Sequence, residues 1–379
     1  HCSICGQTPV KKSTNHYFFK LKNFSDSLLE YLSNAPHLQK DVKKYVENWI
    51  KEGLIDWDIT RDISWGVPIP IEGLTDKVFY GWFDNHLAYI SSTLKFLNEK
   101  KIDGKTFWNE ADIYHFIGKD IVYHHYLFLP AMRLGINNEF KLPDYIPTRG
   151  HLTLEGKKIS KSRNWYIGLK DFLEKFPADY LRFYLISINP YSQDDLNFDW
   201  EQFSTKINSE LIGNLGNLVN RALGFTIKAF DGIVPEPESF DEKDSESEKK
   251  IKSLADDVGK LMQENHLDRA LKKLMEFSAH FNQYFQHKEP WKKEPGTNAC
   301  IYLSVNAVRS IAICLHSFLP KSSQKIWSQL GLEGNVSDIS WNEMSELKLK
   351  ARHKIGTVEP IFSKVESSDI EKEQSKLGN

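Results

Sequence analysis

The densest chemistry in this chain of 379 residues lies behind Gly156, where Lys157-Lys158-Ile159-Ser160-Lys161-Ser162-Arg163 crowds four cations and two hydroxyls together. The order Lys-Ile-Ser-Lys-Ser alternates long cations with small hydroxyl donors. It leaves room for backbone N–H groups to reach an anion beside the ammonium groups. The stretch therefore reads as a flexible phosphate-gripping loop. A solvated turn with surface lysines, or a nucleic-acid patch, would have the same composition. A Walker A loop is excluded, because its glycine spacing before a Lys-Ser/Thr pair is absent.

A second candidate is Cys2-Ser3-Ile4-Cys5-Gly6. A Cys-x-x-Cys pair before a glycine is half of a zinc knuckle, and tetrahedral structural zinc needs two more ligands. No second pair lies nearby, so Cys2 and Cys5 give an incomplete zinc site, with His1 as a possible third ligand. Ligands upstream, loss of the metal, and a redox dithiol remain alternatives, the last without a strand-helix context. The chain opens on His1 rather than Met and reads as a fragment.

The elements around these residues follow from periodicity. Leu28, Leu29 and Leu32, then Val42, Val46, Trp49 and Ile50, predict packing helices that stop near Gly53. Trp57-Asp58-Ile59-Thr60-Arg61-Asp62 reads as a loop, either a surface ion pair or the mouth of a site. Residues 77–83 predict a buried strand, with Asp84-Asn85 opening a helix to about Leu97. Residues 112–118 predict a second strand, a helix opens at Lys119-Asp120, and Tyr145-Ile146-Pro147 begins a third extended segment. Strand, helix, strand, helix, strand is the pattern of a parallel α/β sheet, whose ligands collect at the carboxyl ends of the strands. That places 82–89, 118–125 and the lysine loop along one edge.

After Asp171, segments such as 178–185 read as helical and the acidic stretch 194–200 as a loop before a long all-helical region, with apolar spacing through Leu211, Leu215, Leu218 and Leu223 and through three later stretches between Ile251 and Phe318. Four or more amphipathic helices predict a bundle. Residues 234–249 read as a charged connector between two of them, and the stretch from about 363 as a frayed polar tail. Asn217 and Arg221, four apart, share one helix face, and Pro290-Trp291 ends another helix.

Composition limits the rest. Hydrophobic residues make up 40% and the net charge of -2 conceals 49 basic and 51 acidic side chains, so a polyanion must be met by local basic patches. Four cysteines do not form a secreted disulfide framework. A cytoplasmic setting is expected, with neither a membrane nor a secretory segment indicated.

Several segments in one order resemble the methionyl family of class I aminoacyl-tRNA synthetases. Lys158-Ile159-Ser160-Lys161-Ser162 is similar to the signature lysine loop of that class, with Ile in place of Met. Phe116-Ile117-Gly118-Lys119-Asp120-Ile121-Val122-Tyr123 and Trp57-Asp58-Ile59-Thr60-Arg61-Asp62 are similar to segments of the methionyl family. The resemblance runs nearly end to end. It implies α/β plus all-α architecture: the second half of a Rossmann-type parallel-sheet domain, then a helical anticodon-binding bundle. The implied boundaries are 1–58 for the end of a connective insertion with its half zinc knuckle, 59–148 for the Rossmann half, 149–208 for a stem-contact segment with the lysine loop, 209–362 for the bundle and 363–379 for the tail. The first Rossmann half, with its His-Ile-Gly-His motif, has no equivalent among the thirteen histidines.

The resemblance also implies an ATP-dependent ligase that forms an aminoacyl-adenylate and charges a methionine-accepting tRNA, using ATP with Mg2+. An amino-acid carboxylate attacks the α-phosphate of ATP, so the enzyme must supply position and positive charge rather than a nucleophile. Lys161 and Lys158 become catalytic candidates. Gly118, Lys119, Asp120, Ser160 and Lys161 become ATP-binding candidates. Arg61, Trp82, Asn85, His86, Tyr89, Ile121 and His125 line the amino-acid pocket, where aromatic faces suit a thioether. Asn217, Arg221 and Trp291 read the anticodon, by hydrogen bonds and by stacking respectively.

The chain departs from the family at that pocket. Asp84-Asn85-His86-Leu87-Ala88-Tyr89 stands where Asp-Ala-Pro-Ile-Gly-Tyr is usual, and His124 and Leu129 replace bulky aromatics. Two other readings follow: a relative acting on another amino acid, or a tRNA-binding module without catalysis, the latter if the chain begins at His1.

Overall fold

The computed structural model describes residues 1–2, 6–11, 13–136 and 139–378. They form two compact units, His1–Thr148 and Arg149–Asn379.

In the first unit, β1 (Phe18–Phe19) leads to α1 (Ser25–Asn34) and α2 (Lys40–Glu52), and the chain returns as β2 (Trp57–Asp58), antiparallel to β1 with Phe19 opposite Trp57. Val42, Val46 and Ile50 recur every four residues and are buried, and Gly53, at φ +105°, ends the helix in a conformation L side chains rarely adopt. With Leu28, Leu32, Tyr126, Leu127, Phe128 and Ile146 they make the core of this unit.

β3 (Thr60–Arg61) pairs antiparallel with β4 (Val78–Phe79), and α3 (Gly81–Glu99) follows at once. The strand expected over 77–83 is thus confined to two residues, and the helix starts at Gly81 rather than at Asp84. Both edges of β4 are taken: Val78 pairs with Arg61 on one side and bridges Pro68 on the other, and Phe79 N–H donates to Val67 O at 2.8 Å. This strand therefore cannot join a row of three parallel strands. Asp84 lies in the first turn of α3, where a carboxylate favours the helix dipole without capping it.

α4 (Gly104–Glu110) is capped by Asp103, which accepts from Lys105 N–H at 3.1 Å. The parallel pairing lies further on. Tyr114 bridges Tyr145 in parallel, and Ile117 N–H, in β5 (Ile117–Gly118), donates to Pro147 O at 3.0 Å. Between the two strands run a 3-10 turn (Lys119–Ile121), a π-helical turn (His124–Phe128) and α5 (Leu129–Gly135). This is a strand-helix-strand crossover, the parallel unit the sequence predicts. β6 (Thr148–Arg149) carries the chain into the second unit.

The second unit opens with a three-stranded sheet. β7 (Leu152–Leu154) lies between β8 (Lys157–Lys158), antiparallel, and β9 (Leu196–Phe198), parallel. The β7–β8 turn needs positive φ at both central residues, Glu155 at 49° and Gly156 at 72°, as in a primed hairpin turn. α6 (Leu169–Lys175), α7 (Ala178–Ser187) and α8 (Trp200–Lys206) pack Phe172, Phe183, Trp200 and Phe203 onto it. A ten-residue π-helical stretch, Ile207–Gly216, then runs into α9 (Asn217–Phe230).

The bundle continues with α10 (Glu242–Gln263), α11 (Leu267–Lys288), α12 (Thr297–His316) and α13 (Pro320–Gln329). α12 is long and apolar enough to cross a membrane by composition, but 89% of its apolar window is buried, as in a core helix of a bundle. The 234–249 connector is shorter than expected, because Asp241 and Asp244 form a capping box that starts α10 at Glu242.

The tail expected to fray is docked. α14 (Ser367–Gln374) buries Ile370, and Glu373 is only 7% exposed between Lys175 and Lys376. Asn208 holds the Val365 backbone at both ends of its amide, at 2.9 Å each. Composition alone pointed to disorder; burial of Val365 and Ile370 with a paired Glu373 supplies what composition does not show.

Candidate functional site

α3 places Trp82, His86 and Tyr89 at i, i+4 and i+7, one face of a helix, with Asn85 exposed beside them. Opposite lies the turn after Gly118. The Trp82 ring stacks on His124 at 4.6 Å, and His86 Nε2 stands 3.4 Å from His124 Nδ1. Tyr89 Oη is 3.1 Å from His125 Nε2, and His125 Nδ1 is 3.1 Å from the Ile121 carbonyl. The π-helical turn carries His124 and His125 together, the kind of irregularity that recurs at functional sites.

Desolvation dominates the electrostatics of this pocket. Burial, reinforced by the neighbouring histidines, pushes His86 down to about 3. Burial and His125 push His115 down to about 3 and His124 down to about 4. His125 is lowered by burial despite its hydrogen bond to Ile121. All four imidazoles are neutral near pH 7, so the histidine cluster is itself uncharged and aromatic, with the Arg133 guanidinium as a charge that acts on it. His115 was not among the sequence candidates. Ile113, His115 and Ile117 alternate as buried residues along one strand face, and that period-two pattern was the available signal.

Around the pocket, Arg61 donates to Asp58 at 2.9 Å and its guanidinium sits 3.7 Å over the Tyr80 ring. Trp57 continues the aromatic row, 6.1 Å from Tyr80 and 5.5 Å from His124. At Gly118 a Cβ would come 2.6 Å from Asp120 Oδ1, so only glycine lets that carboxylate fold back over the strand end. Lys119, Asp120 and Ile121 form the 3-10 turn that leaves the strand, with Asp120 exposed.

The lysine loop lies in the second unit and is pinned by its backbone. Ser160 and Trp165 exchange N–H···O bonds of 2.8 and 2.9 Å, and Lys161–Arg163 turns as a 3-10 helix between them. Asn164 closes the turn in the left-handed region, and Trp165 Nε1 donates to Leu154 O at 2.8 Å. Lys157 lies over the Trp165 ring at 4.2 Å. Ser160 and Ser162 hydroxyls are 3.2 Å apart, while Lys158, Lys161 and Arg163 are exposed. Lys158 and Lys161 have no carboxylate partner among the described residues. The loop presents cations and hydroxyls on a fixed turn.

In the bundle, Arg221 and Trp291 line one cavity of about 930 Å³ with Phe225, Lys228, Phe285 and Thr357. Trp291 is 43% exposed on a short turn between two left-handed residues, Glu289 and Lys293. Asn217 is exposed one turn before Arg221 and donates to Asn282 Oδ1 at 2.9 Å. Arg221 lies 4.9 Å over Phe285 and donates to Gln286 Oε1 at 3.0 Å. Aromatic faces beside unsaturated donors suit stacked, unpaired bases.

The family model of tRNA synthetases class I (M) matches residues 1–223. The chain belongs to that family. The model of the anticodon-binding domain of tRNA ligase matches residues 244–376 of this class I chain. The chain is 42% identical to the methionine–tRNA ligase of Methanopyrus kandleri, over 99% of its own length and 56% of the relative's. It is 38% identical to the methionine–tRNA ligase of Methanosphaera stadtmanae, over 100% of itself and 57% of the relative. It thus spans a little over half the length of the curated relatives it matches. Mycobacterium tuberculosis methionyl-tRNA synthetase in complex with methionyl-adenylate is similar in structure, with a TM-score of 0.83 and 26% identity, over 95% of this chain and 71% of that one. The Rossmann-type catalytic and helical classes expected from the sequence hold for this class I synthetase chain.

For zinc, Cys5 lies outside the described residues, and among the described residues no group of three His, Cys, Asp or Glu could hold a metal ion. No step of the chemistry is routed through such an ion.

Proposed function

We propose that the protein activates methionine with ATP and transfers it to the tRNA whose anticodon the bundle reads, in the cytoplasm. One observation carries this reading: Lys158, Lys161 and Ser162 stand exposed on a backbone-pinned turn with Ser160 half-buried beside them, and among the described residues the two lysines have no carboxylate partner. Such a turn meets charge that develops on departing pyrophosphate without reorganising. ATP enters as its Mg2+ complex, as substrate. Gly118 and Asp120 take the nucleoside, with the carboxylate accepting from sugar hydroxyls, and Lys119 faces the phosphates. Trp82, Tyr89, Ile121 and His125 enclose the side chain of the amino acid, with Asn85 and His86 at its edge, and Arg61 faces its polar end. Trp291 stacks an unpaired anticodon base while Asn217 and Arg221 bond to base edges. In this reading residues 1–58 end a connective insertion, 59–148 form the second Rossmann half, 149–208 the stem-contact segment and 209–362 the bundle, with 363–379 as the tail.

The test is methionine-dependent ATP–pyrophosphate exchange in the protein at its natural length. Lys161→Ala should lower exchange by about 10²–10³-fold with little change in the KM for methionine. Unchanged exchange would remove the lysine loop from the chemistry.

The His86–His124 contact of 3.4 Å favours a second reading, a side chain more polar than a thioether. Exchange stimulated by another amino acid more strongly than by methionine would select it.

A further inference from the structure

Three asparagines in the bundle form a directed chain. Asn214 Nδ2 lies 2.9 Å from the Met275 carbonyl. A carbonyl only accepts, so Asn214 presents its NH₂ there and its Oδ1 on the other side. That Oδ1 is 3.1 Å from Asn282 Nδ2, which also lies 2.9 Å from the Asn214 carbonyl and 3.4 Å from the Ser278 carbonyl. Three acceptors around one nitrogen fix the Asn282 amide as well. Its Oδ1 therefore faces Asn217, at 2.9 Å, and only the NH₂ of Asn217 can meet it. Each amide determines the next, and the chain ends on the Oδ1 of exposed Asn217.

One turn further along α9, Arg221 is held by Gln286 Oε1 at 3.0 Å and lies 3.5 Å from the Asn282 carbonyl. Asn282 thus touches exposed Asn217 through its side chain and half-buried Arg221 through its backbone. The surface presents an acceptor, Asn217 Oδ1, beside a guanidinium that still has N–H groups to give. Without Asn282 the Asn217 amide would be free to turn over, exchanging acceptor for donor.

We propose that Asn282, backed by Asn214, is a positioning residue that sets the polarity of Asn217 toward the anticodon. This rests on the anticodon role of Asn217 and Arg221 given above. A fixed acceptor beside a cation selects a base that offers an exocyclic amino group next to ring acceptors. An aminopyrimidine such as cytosine qualifies, and uracil, which has a keto oxygen at that place, does not. The relay converts a chemically ambivalent amide into a one-way reader.

The test is binding of the chain to anticodon hairpin RNAs that differ only in cytosine or uracil at one anticodon position, each position taken in turn, at one salt concentration. The unsubstituted chain should prefer cytosine roughly tenfold at one of them, the size of one base-edge interaction. Asn282→Leu should reduce that ratio to within about twofold while binding to the uracil hairpin stays nearly constant, since phosphate contacts are untouched. Asn217→Asp placed in the Asn282→Leu protein should restore the ratio at lower absolute affinity, because a carboxylate accepts whichever way it turns. A merely structural role for Asn282 would not be rescued in this way. If Asn217→Ala abolishes the preference but Asn282→Leu keeps it, the relay is overturned and the anticodon reading stands. If the unsubstituted chain shows no preference, the anticodon reading fails and the relay with it.

Discussion

Tyr89 donates its hydroxyl hydrogen to His125 Nε2, and the Ile121 carbonyl is what fixes that direction. The carbonyl, 3.1 Å from Nδ1, can only accept, so the ring proton of neutral His125 resides on Nδ1. Nε2 is left as an acceptor, and the Tyr89 hydroxyl at 3.1 Å fills it. Tyr89→Phe leaves a buried ring nitrogen without its donor, which costs about 1–2 kcal/mol. Urea unfolding should show that loss. In the proposed reaction the KM for the amino acid should rise several-fold while the KM for ATP holds; equal changes in both would place Tyr89 outside the amino-acid pocket.

The histidine cluster predicts acid lability. His86, His115 and His124 ordinarily titrate near 6.5 and are depressed to about 3, 3 and 4, chiefly by burial. The unfolded chain therefore binds more protons than the folded one below pH 6.5. Their contribution is fully present above about pH 6.5 and is lost as the pH falls toward the depressed values. Each group adds a slope of at most about 1.4 kcal/mol per pH unit in that window. His124→Phe should make the pH dependence of urea unfolding shallower between pH 6 and 4.5. An unchanged slope would mean that His124 titrates normally.

How much of this was legible beforehand depends on what kind of information each element needs. The crossover from β5 through α5 could be read, because burial on alternate sides of a strand and periodic burial on a helix are local patterns. The limits of β4 could not: Val67 and Pro68 occupy its second edge, and edge pairing is a non-local fact. The start of α10 was missed because the cap is an Asp with an Asp three residues on, hidden within a charged run. That Trp82, Tyr89 and His125 gather around one pocket was legible from the resemblance alone, and His86 as a departure from it. Asn282 was not, since its meaning lies in which neighbours surround its amide nitrogen.

The docked tail predicts coupling to the lysine loop. Gly378 N–H donates to Asn164 O at 2.9 Å, and Asn164 Nδ2 to Lys376 O at 3.3 Å. Burial would raise the Glu373 carboxyl, but bonds from Lys175 and Lys376 outweigh it and hold it below the usual carboxylate range. Ending the chain after Lys364 exposes Val365 and Ile370 partners and removes the bonds that Gly378 and Lys376 make with Asn164. Burial of the two side chains suggests a loss of about 3–5 kcal/mol. Limited trypsin digestion should cut at Lys161 and Arg163 about tenfold faster, and Asn164→Gly, which keeps the left-handed turn, should fall between. Equal cutting rates would show that the tail does not brace the loop.

Asp244 joins the helix cap to the turn that presents Trp291. Its side chain, 1% exposed, accepts from Tyr284 at 2.6 Å and pairs with Lys288 at 2.8 Å, while its backbone N–H donates to Asp241 at 2.9 Å. Lys288 is itself only 9% exposed and ends α11, so without the Asp244 carboxylate its charge is left to Asp241 Oδ2, at 2.8 Å. Asp244→Ala should cost about 2–4 kcal/mol, the penalty of a buried charge that loses one of its two carboxylates together with half of the capping box. Lys288→Met alone should cost less, because Asp241 and Tyr284 leave the carboxylate partly served. The double variant Asp244→Ala with Lys288→Met should recover more than 1 kcal/mol relative to additivity in a double-mutant cycle. Additive losses would mean that solvent already screens the pair. With half of the capping box gone and the charge removed, any remaining loss of anticodon-hairpin affinity measures how far this corner positions Trp291.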